Sequence, residues 1–237
     1  MKKFLSVIVI LLLIIAALLQ FVLPRVVESI LKNQIVSSTA ATAVDVSLSS
    51  TPDFKISFGN IDKVHATAAA GKIGEVSFKN LTLDGEKISV DIPELLFPNK
   101  DLSPQLRNQT VLKHADKIQL SGIITQDEIQ TFIANKDDNF KNPQVSLKPE
   151  GATATAQVKF FGRTVDLDIA GNFIAINGDI YFHMTKLNSN SILSRVNVDT
   201  FLSDIKVLDS ANLPFGLKFE SVELREGEAV ITASTVK

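Results

Sequence analysis

Residues Phe4 to Leu23 form a run of 20 without a charge, and 16 of them are Leu, Ile, Val or Phe. At about 1.5 Å per residue, a helix of that length spans roughly 30 Å, the thickness of a bilayer's hydrocarbon core. At about −0.3 to −0.6 kcal/mol per such residue, insertion is favoured by at most roughly 5–10 kcal/mol. A cleaved signal peptide is the rival reading, since Lys2 and Lys3 precede the run. Secretory apolar cores are shorter, about 7–15 residues. The first Ala-x-Ala, Ala41-Thr42-Ala43, also comes too late, and no cysteine follows to carry a lipid. The sequence therefore predicts a transmembrane signal anchor over 1–24 and a single extracytoplasmic domain over 25–237. The expected placement is single-pass in the inner (cytoplasmic) membrane, with the N-terminus in the cytoplasm and the domain outside.

Beyond Arg25 the chain carries 21 basic and 26 acidic residues. That balance, with no basic run interleaved with aromatics, excludes nucleic acid as the expected partner. The absence of cysteine excludes disulfides, zinc thiolates and cysteine nucleophiles together. There are 15 Phe against one Tyr and no Trp. Phe has no polar handle, so this bias suits an apolar interior, either solid or hollowed for an apolar ligand.

After the run, Val26, Val27, Ile30, Leu31 and Ile35 fall on one face of a helix that follows Pro24 with no flexible linker. From Val44 the period is mostly two. Val76 and Phe78 pass to Leu81 and Leu83 out of phase, which predicts a bulge near Asn80. Asp84-Gly85 reads as a turn before Ile88, Val90 and Ile92. Leu95-Leu96-Phe97 reads as exposed, within a proline-bracketed loop. A strand through Ile118 and Leu120 leads to a short helix capped by Thr125 with Glu128. Asn135 to Asn142 reads as a solvated loop.

The second half alternates clearly. Ala154, Ala156, Val158 and Phe160 share one face, then Val165, Leu167 and Ile169 after the turn Phe161-Gly162-Arg163. Strands Phe173 to Ile176 and Ile180 to Met184 meet at Asn177-Gly178. A helix is expected over Ser191 to Leu208, and a final hairpin turns at Glu226-Gly227. The fold class is α+β with an antiparallel sheet.

Catalysis needs a nucleophile, a base and an orienting group. His65, His114 and His183 are the only histidines, and none sits in a recognisable motif. His183 alternates with Phe182 and Met184 and reads as solvent-facing. Asp166 and Asp168 share a strand face, but no loop supplies the six to eight oxygens that Ca²⁺ takes. The expectation is a non-enzyme with no metal and no cofactor.

The helix Pro24 to Ile35, the stretch Pro52-Asp53-Phe54 through Phe58-Gly59-Asn60-Ile61-Asp62-Lys63-Val64, and the block Leu213-Pro214-Phe215-Gly216-Leu217-Lys218-Phe219 before Glu226-Gly227 are carried in order. In these the chain resembles the LmeA-like phospholipid-binding family of bacterial envelope proteins, over about Pro24 to Ser234. The resemblance implies a tubular lipid-binding-like fold, a curved antiparallel sheet wrapped around amphipathic helices with an apolar groove for acyl chains. It implies no catalytic residues. On that footing the inward-facing candidates for lipid contact are Val158, Phe160, Val165, Leu167, Ile169, Phe182, Leu217 and Phe219. The expected partner is a phospholipid or a lipid-linked precursor, with the membrane held through the N-terminal helix. The alternative is a structural or assembly factor for envelope biogenesis, with a solid core and no lipid. A hydrolase using Asp166 and Asp168 is a third reading.

Overall fold

The computed structural model describes residues 10, 20, 22–97, 111–136, 140–160, 163–189 and 204–235. Among the described residues the α-helices are α1 (Leu23–Thr39), α2 (Ile92–Leu96) and α3 (Gln126–Lys136), with 3-10 helices at Asp53–Phe58, Ser210–Asn212 and Pro214–Gly216. The strands before α3 are β1 (Asp45–Ser49), β2 (Asn60–Ile73), β3 (Val76–Val90), β4 (Leu112–His114) and β5 (Lys117–Thr125). After it come β6 (Phe140–Lys148), β7 (Gly151–Phe160), β8 (Arg163–Ile176), β9 (Asp179–Ser189), β10 (Asp204–Leu208), β11 (Lys218–Arg225) and β12 (Glu228–Ser234). This is an α+β chain dominated by antiparallel sheet, as the alternation predicts. It divides into two compact units, Met1–Ala68 with Thr82–Gln119 and Ala69–Leu81 with Leu120–Lys237.

In the first unit, β1 pairs antiparallel with β2 from Asp45↔Thr67 to Ser49↔Lys63, and β4 pairs with the end of β3. Helix α1 has its proline in the first turn, where the missing N–H costs nothing. Val27 is fully buried, whereas Val26 faces solvent, so the packed face is narrower than the period alone suggests. The Glu28 carboxylate accepts from the Leu48 N–H at 3.1 Å and ties α1 to β1. Among the described residues no helix is long and apolar enough to cross a membrane. The apolar run Phe4 to Leu23 lies almost entirely outside them.

Two expectations fail in this unit. Strand β3 runs straight through Asp84-Gly85. A Cβ on Gly85 would meet Ile88 Cδ1 at 2.5 Å, so the glycine serves close packing and makes no turn. The turn lies upstream, between β2 and β3. Asn80, where the bulge is expected and which belongs to the second unit, stands at φ +48°. Leu95 is buried, not exposed, because α2 turns it inward while Phe97 stays out.

In the second unit, β10-β9-β8-β7-β6 form a sheet in which every neighbouring pair is antiparallel. The β11–β12 hairpin turns at Glu226-Gly227 as predicted and is tied to that sheet at both ends. The Phe219 N–H donates to the Gly178 carbonyl at 2.9 Å, and the Gly227 N–H to the Leu147 carbonyl at 3.0 Å. Leu147, Val145, Ala152 and Ala229 form a buried cluster, with Ile129 and Ile133 of α3 packed on it. The predicted cap of α3 is there. Glu128 Oε2 accepts from the Thr125 N–H at 2.8 Å and from its hydroxyl at 2.9 Å.

Bulges account for the misread segments. Strand β8 continues through Gly171 instead of breaking into two, because Thr185 is the extra residue on β9 where the register shifts. Phe140–Asn142 belong to β6, not to a loop, and a shift after Lys141 absorbs Asn142 (φ +51°) and Pro143. Asp137-Asp138 lie outside the described residues. Of the helix expected over Ser191 to Leu208, Asp204–Leu208 is strand β10. There the open edge of β9 offers ladder partners that outweigh local helical preference. Residues 191–203 lie outside the described residues.

Candidate functional site

The second unit contains a mostly apolar cleft of about 580 Å³. Its width comes from β7, where Ala152, Ala154 and Ala156 occupy alternate positions on the lining face. Alanine is depleted in strands, so three in alternation mark space, not strand preference. Ala154 pairs with Ile169 and Ala156 with Leu167, so small side chains on β7 stand beside large ones on β8. Phe173 and Phe182 sit opposite each other on β8 and β9, ring centroids 5.3 Å apart, and also line the cleft. Helix α3 contributes Ile129, Phe132 and Ile133.

The charged residues among the described lining are Glu75, Lys206 and Asp209. Lys206 is committed: its Nζ lies 2.9 Å from Asp179 Oδ2 and 3.1 Å from Asp209 Oδ2. Asp179 Oδ1 also accepts from the Ser210 N–H at 2.9 Å and hydroxyl at 2.8 Å. Asp209 Oδ1 caps the following turn through the Ala211 N–H. The Lys206 hydrogen bond, seconded by the Ser210 N–H, holds the Asp179 carboxyl down at about 2. The Ala211 N–H, then Lys206, lowers that of Asp209, and Lys206 itself is raised, first by Asp179.

A depressed carboxylate stabilises the fold above its unfolded value and loses that contribution as pH falls through the folded value. Here the window runs from 3.8 down to about 2. Screening at this partly open site reduces the contribution to about 1 kcal/mol, and to no more than about 2. Asp179→Asn is accordingly expected to lower stability at neutral pH by about 1–2 kcal/mol, since Ser210 and Lys206 lose their charged acceptor. It should also flatten the acid dependence in that window. Denaturant unfolding at pH 7 and along an acid series measures both, and an unchanged slope would refute the assignment.

Of the eight residues proposed from sequence, Leu167, Ile169 and Phe182 line the cleft. Val165, Leu217 and Phe219 are buried in packed interior away from its described wall. Val158 and Phe160 pair through their backbones with Val165 and Arg163, and their side chains lie outside the described residues. Sequence reasoning missed the α3 residues and Phe173 as wall, and took Ala154 and Ala156 only as strand markers.

The polar candidates stay on the surface. Each histidine faces an aspartate: His65 with Asp84 at 2.7 Å, His114 with Asp116 at 3.0 Å, and His183 with Asp204 at 2.7 Å. Asp166 accepts from the Gln157 amide at 3.1 Å on the exposed face of β8. Among the described residues no group of three or more His, Cys, Asp or Glu is placed to hold a metal.

No curated protein and no solved structure matches this chain. The model of one family does match, and it spans the helix α1, both units and the final hairpin. With that match running over residues 18–234, the chain belongs to the LmeA-like phospholipid-binding family.

Proposed function

We propose that this is a non-enzymatic lipid-binding protein of the bacterial cell envelope, anchored by Phe4 to Leu23 in the inner membrane. It would hold an acyl chain in the cleft of its second unit. The observation that carries the reading is an apolar cleft of about 580 Å³ in a chain of a phospholipid-binding family. Among the described lining residues there is no histidine, and the lysine is already held by two carboxylates, which supports binding without chemistry. The bulges on β6, β9 and β10 support the curved, helix-filled sheet that a tubular lipid-binding-like fold requires.

At about 580 Å³ the cleft has room for at least one long acyl chain. Each buried methylene gains about 0.8 kcal/mol relative to water, a gain the lipid already has in a bilayer. Selectivity therefore falls to the charged lining residues Glu75, Lys206 and Asp209.

Residues 25–237, expressed without the apolar run and purified without detergent, are expected to carry phospholipid when extracted for lipid mass spectrometry. A folded, empty protein that takes up no lipid from vesicles would favour the assembly-factor reading instead.

A further inference from the structure

The first unit carries aromatic surface that its fold does not use. Phe54, Phe58 and Phe97 are 44%, 65% and 80% exposed. They do not sit on loose loops. Phe54 and Phe58 pack edge to face, ring centroids 6.4 Å apart, on a 3-10 helix whose Ile56 is buried beneath them. That helix ends at Gly59 (φ +80°), where a Cβ would stand 2.1 Å from the Val90 carbonyl oxygen, so the backbone is clamped against β3. Phe97 follows α2, which is capped by Asp91 and anchored by the buried Leu95. Gly59 also lies against Ile92 of α2, and α1 packs on both short helices.

Three exposed rings carried by two adjoining short helices, both packed on α1, mark an interaction surface. The partner's chemistry follows from the chain's course. Lys55, next to Phe54, is paired with Asp62 at 3.7 Å, and Lys113 with Asp91, the cap of α2, at 2.8 Å. Helix α1, on which both ring-bearing helices rest, begins at Leu23, where the apolar run ends. We propose that Phe54, Phe58 and Phe97 form a membrane-docking surface that seats the first unit on the lipid bilayer holding the N-terminal run. The rings enter the boundary between headgroups and acyl chains, as the apolar faces of interfacial helices do. This rests on the anchored reading above.

The chain has no tryptophan, so Phe58→Trp introduces a sole indole reporter into the full-length protein. The variant is reconstituted into phosphatidylethanolamine–phosphatidylglycerol vesicles with brominated acyl chains. The expected result is blue-shifted emission, quenched several-fold by the brominated lipid, weakly by acrylamide, and unaffected by high salt. Phe97→Trp should give the same pattern. Strong acrylamide quenching without lipid quenching would overturn the docking surface and leave the anchor standing. Quenching by neither would overturn it in favour of a protein cover. A chain that fails to float with the vesicles would overturn both anchor and docking.

Discussion

Replacing Ala154 and Ala156 together with phenylalanine is expected to abolish lipid capture by residues 25–237 while leaving the protein folded. Both alanines face the cleft from β7, beside Ile169 and Leu167 of β8. Two added rings would occupy the volume an acyl chain needs without introducing a polar atom. Overpacking a filled core costs about 1–3 kcal/mol, but here the rings enter open space and the cost should fall below that range. Gln157→Phe, on the solvent face of the same strand, should bind lipid normally. The measurement pairs lipid mass spectrometry with a denaturation midpoint. Stoichiometric lipid in a folded double variant would place the ligand elsewhere and remove the cleft from the function. Phe182→Asp attacks the same wall by polarity and should also lose lipid. Its greater destabilisation makes it the weaker discriminator, because a buried carboxylate disturbs the fold as well as the site.

How far the sequence reaches depends on whether a signal is local. Alternation along β7 and β8, the Asn177-Gly178 and Glu226-Gly227 turns, and the Thr125–Glu128 cap are all set by neighbours in the chain, and all were legible. Gly85 and Gly171 were not. A glycine that makes a turn and one that leaves room for a packed neighbour look identical in sequence, and only the contacting atoms tell them apart. The edge strand β10 and the first residues of β6 were missed for a related reason, since their hydrogen-bond partners on β9 and β7 lie far off in the chain. The site divides along the same line. Period two assigns Val165, Leu167 and Ile169 to one face, yet Val165 enters packed interior while the other two reach the cleft. Inward is a property of the strand. Hollow is a property of what stands opposite, here the alanines of β7 and the helix α3.

Gly171→Ala is expected to be among the most damaging single changes in the second unit, costing about 3 kcal/mol or more, at or beyond the upper end for overpacking. Its Cβ would lie 2.2 Å from the His183 carbonyl oxygen and 2.7 Å from Phe182 Cζ. The first of these is backbone and cannot swing aside. Gly171 sits where the register between β8 and β9 shifts, and the displaced Thr185 returns its hydroxyl to the Ala170 carbonyl at 3.1 Å. The bulge that bends the sheet and the contact that sets Phe182 against the cleft thus share one missing side chain. Gly216→Ala is the matched control: φ is +65° there, but no atom stands within 4 Å of the added carbon. It should cost only the left-handed penalty of about 1–2 kcal/mol. Denaturant unfolding of both variants gives the comparison, and lipid occupancy of Gly171→Ala adds a second readout. Relief of the overlap pushes Phe182 toward the cleft, so lipid should fall even in the fraction that stays folded. Equal costs for the two glycines would mean that β9 yields freely, and the close approach would then shape neither the sheet nor the site.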